Sequence, residues 1–222
     1  MAQRPFFMAG NNNAFYLEES AEFKFFTGFS IEQKKKSILS LHDAILKKYP
    51  KARILEVSSK SENQLGKKLS AFSLSCTLAD GKEYCVENIF QSSKVFRDGG
   101  PFRDLKTCSP VEAKKDPRLK NSGPLISFNF AGREWPLEPK TFFYDYLYIN
   151  MLARNKKLCD ELNSYDTFTD IEFNPKVSFN CQARSVAIFV TLMKLKKVKE
   201  YLCDRNKFLQ IYSNSSMNFT LS

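Results

Sequence analysis

Histidine and tryptophan are nearly absent from this chain of 222 residues, which contains one of each. The single histidine, His42, lies in a helix-like stretch and has no second histidine with which to share a metal or a nucleophile. We interpret it as an ordinary polar helix residue. HExxH metalloproteases and Ser-His-Asp hydrolases with an independent histidine are therefore nearly excluded.

The chain also lacks an apolar run of the roughly 18 residues needed to span a bilayer. Its N-terminal segment, MAQRPFFMAG, does not follow the pattern of a signal peptide. We therefore expect a cytoplasmic protein with no membrane partner. The six cysteines form no C-x-x-C pair and have no partnering histidines, which predicts reduced thiols, mostly in the core, and no metal site.

Aromatic and basic residues, by contrast, are plentiful. A hydrophobic fraction of 43% with 21 phenylalanines predicts an aromatic-rich core, and the length suits one domain. The net charge of +10 favours a polyanionic partner such as nucleic acid or a phosphate-bearing ligand. Individual charge runs are as often simply solvated helix faces.

Hydrophobic periodicity predicts the elements of the first half. A helix in FSIEQKKKSILSLHDAILKKYP is capped by Ser30 and stopped by Pro50. A short strand, ARILEVSS, and a polar loop, SSKSENQLGKK, follow. A hairpin then turns at Asp80-Gly81 and leads without a loop into a helix that begins at Glu87.

The second half begins with an irregular segment that contains one short helix, SPVEAKK, followed by a hairpin turning at Gly132. A long helix with Pro139 in its first turn, the loop DTFTDIEFNPKVSFN and a last helix capped by Asn180 complete the pattern. The predicted class is α+β, mainly helical with a small β-hairpin or sheet. We predict a single domain over residues 1–222, with its core in about 20–200 and a loose tail at 203–222.

The helix after the hairpin carries a narrow polar stripe. Along it, Glu87 and Lys94 are two turns apart, which places them on one face at roughly 10 Å. Such a pair can bracket a ligand, although a glutamate in a first turn is also favourable to the helix dipole. Large apolar groups flank the stripe, so it is either a solvated surface or the floor of a site. The stripe consists of Glu87, Gln91, Lys94 and Asp98.

Two further segments carry candidate residues. In TFTDIEFNP, Asp170 and Glu172 alternate with apolar residues and would share one face of an extended stretch. An Asx-type turn with a helix cap explains them equally well. In REWPLEP, Trp135 is either a core residue, which we favour, or an aromatic platform for a base.

Several of these segments together resemble the NADAR family. The string LSAFSL...DGKEYCVENIFQSSKVF is similar to that family's signature element, hairpin and helix, and the later Trp135, TDIEFNP and FNCQARSVAIFV follow in the same order. Further segments, including KVFRDGGPFRDL and LEPKTFFYDYLYI, resemble the DarT-associated NADAR antitoxins over about residues 20 to 200. The implied fold is a NADAR-like (YbiA-like) domain. The sequence departs from the family where its usual histidine is Asn88 and its glycine-rich loop is EFNPKVS, and these changes bear on substrate choice more than on reaction class.

Members of this family cleave N-glycosidic bonds of ribose-containing compounds, and the antitoxin branch removes ADP-ribose from guanine bases modified by a DarT toxin. The resemblance thus implies ADP-ribosylated guanine in DNA as substrate, ADP-ribose as product, the cognate DarT toxin as partner and no cofactor. It implies Glu87, Lys94 and Asp170 as catalytic residues. The residues predicted to bind substrate are Trp135, Ser58, Ser59, Lys60, Phe90, Gln91, Gly99, Gly100, Glu172 and Asn180.

The chemistry of these residue types fits that reaction. Cleavage at the ribose C1 passes through an oxocarbenium-like state. A carboxylate such as Glu87 can stabilise that state, or can activate the water that attacks it. Lys94 either binds a diphosphate or ribose hydroxyl, or attacks the anomeric carbon to form an imine. Ser58–Lys60 and Gly99-Gly100 suit phosphate oxygens, or are ordinary loops.

Two other functions stay open at this point. One is an N-glycosidase of phosphorylated ribosyl metabolites. The other is a non-catalytic protein that neutralises the toxin by binding. The polar stripe is expected to be the floor of a cleft that Phe90, Val95 and the Asp170 loop wall.

Overall fold

A computed structural model describes residues 1–28 and 30–215, which form two compact units. The first unit contains the described residues of 1–70 and 156–215, and the second is Ala71–Asn155. The prediction of one domain over residues 1–222 stays a prediction. Within the described ranges, no helix combines the length and apolar character that a bilayer crossing requires.

Helices outnumber strands in residue count, as the α+β prediction expects. A short 3-10 helix also occupies Arg103–Lys106. The strands are β1 (Ala2–Ala9), β2 (Tyr16–Phe23), β3 (Ile54–Glu56), β4 (Ser75–Thr77), β5 (Glu83–Cys85), β6 (Lys94–Phe96), β7 (Leu125–Phe130), β8 (Arg133–Trp135) and β9 (Thr167–Thr169). The helices are α1 (Ile31–Lys48), α2 (Gln64–Lys68), α3 (Val86–Ser92), α4 (Pro110–Lys115), α5 (Arg118–Asn121), α6 (Phe142–Ala153), α7 (Lys156–Leu162), α8 (Gln182–Lys194), α9 (Val198–Cys203) and α10 (Arg205–Ser215).

The first unit is built on a four-stranded sheet with the order β2-β1-β9-β3. Strand β3 runs parallel to β9, while β1 pairs antiparallel with β2 and β9. Helix α1 covers the sheet through Ile38, Leu41 and Ile45, which pack with Phe6 and Phe23. Because β3 and β9 are parallel and in register, the residues at their carboxyl ends lie side by side.

The second unit contains the β4-β5 hairpin, the sheet β6-β7-β8 and helix α3. Its core is aromatic: the rings of Phe90, Phe128 and Phe143 lie 4.7 to 6.2 Å apart by centroid. These separations suit offset or edge contacts between rings. Helix α3 starts directly after β5, so its first turn is fixed by the hairpin.

Several local predictions are confirmed. Ser30 caps α1 by accepting from the Gln33 amide. The two hairpins turn at Gly81 and Gly132, whose φ angles of 75° are ones that a residue with a side chain rarely adopts. The short helix predicted at SPVEAKK is α4, which a capping box at Ser109 begins. The six cysteines are free thiols, but only three of them are buried, so the prediction that most lie in the core is not met.

Other boundary predictions are wrong. The long helix predicted from Pro139 is two helices, α6 and α7, and Pro139 precedes them. The last predicted helix divides likewise into α8 and α9, and its N-cap is Cys181 rather than Asn180. Residues 205–215 of the predicted loose tail form α10, in which Phe208 and Ile211 are fully buried. The rest of that tail, 216–222, lies outside the described residues.

The sheet of the first unit is more extensive than the sequence predicts, because the hydrophobic pattern indicates no element at residues 1–23 and predicts a loop where β9 lies. Adjacent residues of β1, Phe6 and Phe7, are both 1% exposed. Neighbouring strand residues point to opposite faces, so a strand buried on both faces shows no alternation. Strand β9 has three residues, too few for a period to be visible.

Gly66 allows helix α2 to approach the end of β3. A Cβ at this position would lie 2.0 Å from the backbone oxygen of Glu56 and 2.4 Å from Ser61 Oγ. We expect Gly66→Ala to lower the free energy of unfolding by about 2 kcal/mol, since this overpacking exceeds the gain of about 1 kcal/mol in helix propensity. Chemical denaturation measures the change. The control is Lys68→Ala, on the exposed side of α2, and a Gly66→Ala protein as stable as wild type would contradict the close approach.

Candidate functional site

Glu87 is positioned by the junction between the hairpin and α3. It is the second residue of the helix, and its backbone amide donates to the Ala71 carbonyl at 3.0 Å. Its side chain is buried, with the residue only 5% exposed. A carboxylate held there interacts favourably with the helix N-terminus. The junction therefore fixes a buried acid in one orientation.

Gln91 lies one turn further along α3 and orients that acid. Its Nε2 donates to Glu87 Oε1 at 2.8 Å. The other amide atom, Gln91 Oε1, is buried and accepts no hydrogen bond within the part of the chain that the structure describes. A buried acceptor of this kind costs free energy unless a donor reaches it, so Gln91 Oε1 is suited to a ligand hydroxyl.

Lys94 is the first residue of β6, where it pairs with Phe128 of β7. Its Nζ lies 5.0 Å from the centroid of the Phe90 ring, a cation–π distance. Burial lowers the pKa of Lys94 to about 8, against the opposing effect of the Glu87 charge; the charge of Lys114 adds to the lowering. The ammonium is thus less favoured here than in water.

The prediction that Glu87 and Lys94 lie on one helix face is wrong. Helix α3 ends at Ser92, and Lys94 belongs to a strand. The hydroxyls of Ser92 and Ser93 donate to the Ile89 carbonyl, which competes with continuation of the helix. Pairing of β6 with β7 then decides the conformation. The two side chains interact electrostatically all the same, because the charge of Glu87 raises the pKa of Lys94 against the effect of burial.

Asn88, which replaces the histidine expected from the family resemblance, has a structural environment. Its Nδ2 donates to the Leu105 and Cys108 carbonyls at 2.7 and 2.9 Å, and its Oδ1 accepts from Cys85 Sγ. These bonds tie α3 to the segment around the 3-10 helix. The side chain is therefore fully used in holding the second unit together.

Trp135 lies in the aromatic core of the second unit and is 3% exposed. Its ring lies 5.4 Å from Phe142 and Phe143 and 4.5 Å from Tyr146. Phe143 also contacts Phe90, the ring beneath Lys94. A buried ring in this position supports the floor of the Lys94 environment. It does not present a face on which a base could stack.

The Gly99-Gly100 pair has a packing explanation. The Gly99 amide points back to the Phe96 carbonyl at 3.4 Å, so it is not an open donor for phosphate. Gly100 has a φ of 82°, and a Cβ there would lie 2.6 Å from the Lys94 carbonyl. These glycines permit the turn after β6. Their predicted contact with substrate stays a prediction.

A second cluster lies in the first unit, at the carboxyl ends of β3 and β9. Its centre is Glu56, which is 3% exposed and was not singled out from the sequence. Glu56 Oε1 accepts from Ser58 Oγ at 2.6 Å and from the Ile171 amide at 2.8 Å, and Oε2 accepts from Thr169 Oγ1 at 2.6 Å. Ser58 is thus a buried partner of an acid, not a free donor for a ligand.

Asp170 follows β9 directly and is 7% exposed. Its Oδ1 accepts from the Glu172 amide at 3.0 Å, an Asx-type turn. Burial, followed by the charge of Glu56, raises the pKa of Asp170 well above its usual value. Two buried carboxyl groups of the same unit therefore influence each other, which is a feature of acid–base sites.

The prediction that Asp170 and Glu172 share one face is wrong. The turn after β9 leaves Glu172 exposed, where it forms an ion pair with Lys34 at 3.0 Å. Of the other predicted binding residues in this unit, Ser59 is exposed, while Lys60 and Asn180 are half-buried. Their contact with substrate stays a prediction.

His42 belongs to the same cluster, contrary to its interpretation as an ordinary helix residue. Its Nε2 lies 2.9 Å from Thr169 Oγ1. Burial lowers the pKa of His42 to about 4, so the imidazole is neutral at pH 7. A neutral Nε2–H donates to Thr169, whose hydroxyl donates in turn to Glu56. Across residues 1–28 and 30–215, no three acidic, cysteine or histidine side chains group as a metal site.

The electrostatic environment of Lys94 makes a paired prediction. Glu87→Gln removes a negative charge that raises the pKa of Lys94, so that pKa should fall below about 8. Lys114→Gln removes a positive charge that lowers it, so the pKa should rise. NMR titration of isotope-labelled lysine side chains measures the two shifts. Shifts of the same sign in the two variants would contradict this environment.

Comparison with known proteins places the chain in a family. The model of one family, described as the DarT1-associated NADAR antitoxins, matches residues 2–220. No curated protein matches the chain. Because the family match extends over nearly the whole sequence, this chain belongs to the DarT1-associated NADAR antitoxins, and its role is that of an antitoxin associated with a DarT toxin.

Proposed function

We propose that this protein is an N-glycosidase that removes ADP-ribose from ADP-ribosylated guanine in DNA and so reverses the action of a DarT toxin. The observation that carries the proposal is the environment of Lys94, a half-buried amine above an aromatic ring and next to a buried acid. Family membership supports the antitoxin role. The substrate and the reaction are our proposal.

The lowered pKa makes Lys94 a nucleophile. At pH 7, an amine with a pKa of about 8 is neutral in roughly one molecule in ten, against fewer than one in a thousand for an ordinary lysine. Desolvation of a lysine in apolar surroundings is a recognised means of activating it. We therefore favour attack on the sugar over simple binding of a phosphate.

The proposed reaction balances with water alone. The Lys94 Nζ lone pair forms a bond to the ribose C1, and the bond from C1 to the guanine nitrogen breaks with its electron pair on the base, which takes up a proton. The ribose ring then opens to give an imine with Lys94. Addition of water to the imine carbon releases ADP-ribose and regenerates the amine.

Glu87 and Gln91 support this step. A buried carboxylate near the reacting carbon stabilises the positive charge that develops on the ribose, and can later activate the hydrolytic water. Gln91 holds that carboxylate at 2.8 Å and leaves Oε1 available for a ribose hydroxyl. We propose Asp170 as the acid that protonates the departing base.

The charge of the chain fits a nucleic-acid substrate. Its net charge of +10 favours DNA over a small soluble metabolite. A modified guanine must leave the base stack before its sugar linkage is accessible. Binding of the modified oligonucleotide should therefore weaken as the salt concentration rises.

Replacement of Lys94 by arginine tests the covalent step. Lys94→Arg keeps a positive charge but removes the nucleophile, because a guanidinium stays protonated. We expect it to lose about as much hydrolysis of a guanine-ADP-ribosylated oligonucleotide as Lys94→Ala, on the order of 100-fold or more. Borohydride should trap ADP-ribose on the wild-type protein and not on Lys94→Arg.

The matched control is Lys115→Arg, an exposed lysine on α4, which should retain wild-type hydrolysis. Substantial activity in Lys94→Arg without trapping would mean that Lys94 only binds the substrate. Hydrolysis of free ribosylated metabolites but not of the oligonucleotide would indicate a metabolite N-glycosidase. Protection of cells from the toxin by a Glu87→Ala, Lys94→Ala double variant would indicate neutralisation by binding.

A further inference from the structure

Glu56 contacts the chain on each side of Asp170. Its carboxylate accepts from the side chain of Thr169 at 2.6 Å and from the backbone amide of Ile171 at 2.8 Å. Glu56 therefore fixes the residues immediately before and after Asp170, which are Thr169 and Ile171. Ser58 supplies a further bond of 2.6 Å from the β3 side.

The parallel strands make this arrangement possible. Glu56 ends β3 and pairs in register with Thr169, the last residue of β9. Side chains at the ends of adjacent parallel strands meet at one edge of the sheet. Gly66 brings α2 close behind the Glu56 backbone, so the position of this acid is set by packing as well as by hydrogen bonds.

The donors indicate which acid is ionised. Glu56 receives two hydroxyls and a peptide N–H, and the peptide N–H can only donate. Burial raises the pKa of Glu56, and these three donors oppose that rise because they stabilise the carboxylate. Asp170 is also buried and lies in the field of that charge, which raises its pKa well above the usual range. One proton shared by the pair therefore belongs to Asp170.

The other ionisable groups around the pair do not change this assignment. From α1, His42 is neutral at pH 7, and Lys34 pairs with the exposed Glu172. At the start of α8, burial raises the pKa of the Cys181 thiol well above its usual value, so the thiol is neutral. The positive charge of Arg184, within α8, acts on Cys181 and on Glu18. Glu172 adds a negative charge that raises the pKa of Asp170 further.

We infer that Glu56 is a positioning residue of this enzyme: it fixes the segment from Thr169 to Ile171 and keeps Asp170 protonated as the general acid. The inference rests on the proposed function, because Asp170 acts there as the proton donor to the departing base. The hydrogen bond between Thr169 and His42 extends the same network to α1, with the neutral imidazole donating to the threonine hydroxyl.

The test compares Glu56→Gln with wild type in two measurements. Without the charge of Glu56, Asp170 should lose its proton at lower pH, so the alkaline limb of the rate of hydrolysis should move to lower pH by about one unit or more. NMR titration of labelled aspartate carboxyl groups, with Asp170→Asn for assignment, should show the same shift. The matched control is Glu62→Gln, an exposed acid paired with Lys35, which should shift neither.

A folded Glu56→Gln protein in which the Asp170 carboxyl titrates as in wild type would overturn the inference. If Glu56→Gln does not fold, Thr169→Val replaces it, with Thr169→Ser as the conservative variant that keeps the hydroxyl. Loss of that donor makes Glu56 compete for the proton, so Thr169→Val should shift the titration of Asp170 and Thr169→Ser should not. Equal titration curves for these two variants would also overturn it.

The carboxyl titration needs no substrate, which separates this inference from the proposed function. A protein that hydrolyses no ADP-ribosylated DNA but shows the Asp170 shift in Glu56→Gln would refute the proposed reaction and retain the carboxyl pair. Hydrolysis that is lost in Glu56→Gln without any shift of the Asp170 titration would retain the reaction and leave Glu56 a purely structural residue, which contradicts the inference.

Discussion

Desolvation of ionisable side chains is the physical constraint on which both clusters depend. Lys94 is held above Phe90 in an aromatic core, while Glu56 and Asp170 are buried, with His42 half-buried beside Thr169, where two parallel strands end. Removing an amine or a carboxyl group from water disfavours its charged form. The pKa values of Lys94 and His42 are lowered, so these groups lose a proton more readily. The pKa of Asp170 is raised, so this group retains its proton. These are the protonation states that nucleophilic and acid catalysis require near neutral pH.

The two units use different means to hold these groups. In the second unit, aromatic packing holds Lys94 in place. Phe143 contacts both Phe90 and Trp135, so the ring under Lys94 is supported by further rings. In the first unit, hydrogen bonds do so, with short contacts from Ser58 and Thr169 to one carboxylate. Burial among apolar rings favours the neutral amine of Lys94 through desolvation, although a ring face by itself attracts a cation, while hydroxyl and amide donors favour an ionised carboxylate.

Asn88 stands where the family resemblance predicts a histidine, and its side chain is used in packing. The asparagine amide satisfies two backbone carbonyls of the segment Leu105–Cys108 and receives the Cys85 thiol. Its contacts are directed into the second unit's own structure, whereas the neighbouring Glu87 is held by Gln91. Asn88 therefore serves the packing around α3, while the acid next to it has its own partner.

Local sequence patterns correctly predict the Ser30 cap, the turns at Gly81 and Gly132 and the capped helix α4, because caps and tight turns depend on a few adjacent residues. Tertiary packing, by contrast, sets the end of α3 before Lys94, since pairing with β7 outweighs helical periodicity there. It also decided that Glu56 and His42 join Asp170. Glu56 is 114 residues from Asp170 in the sequence by subtraction, and its burial follows from the pairing of β3 with β9. Such pairings are set by packing between distant segments, which no local pattern records.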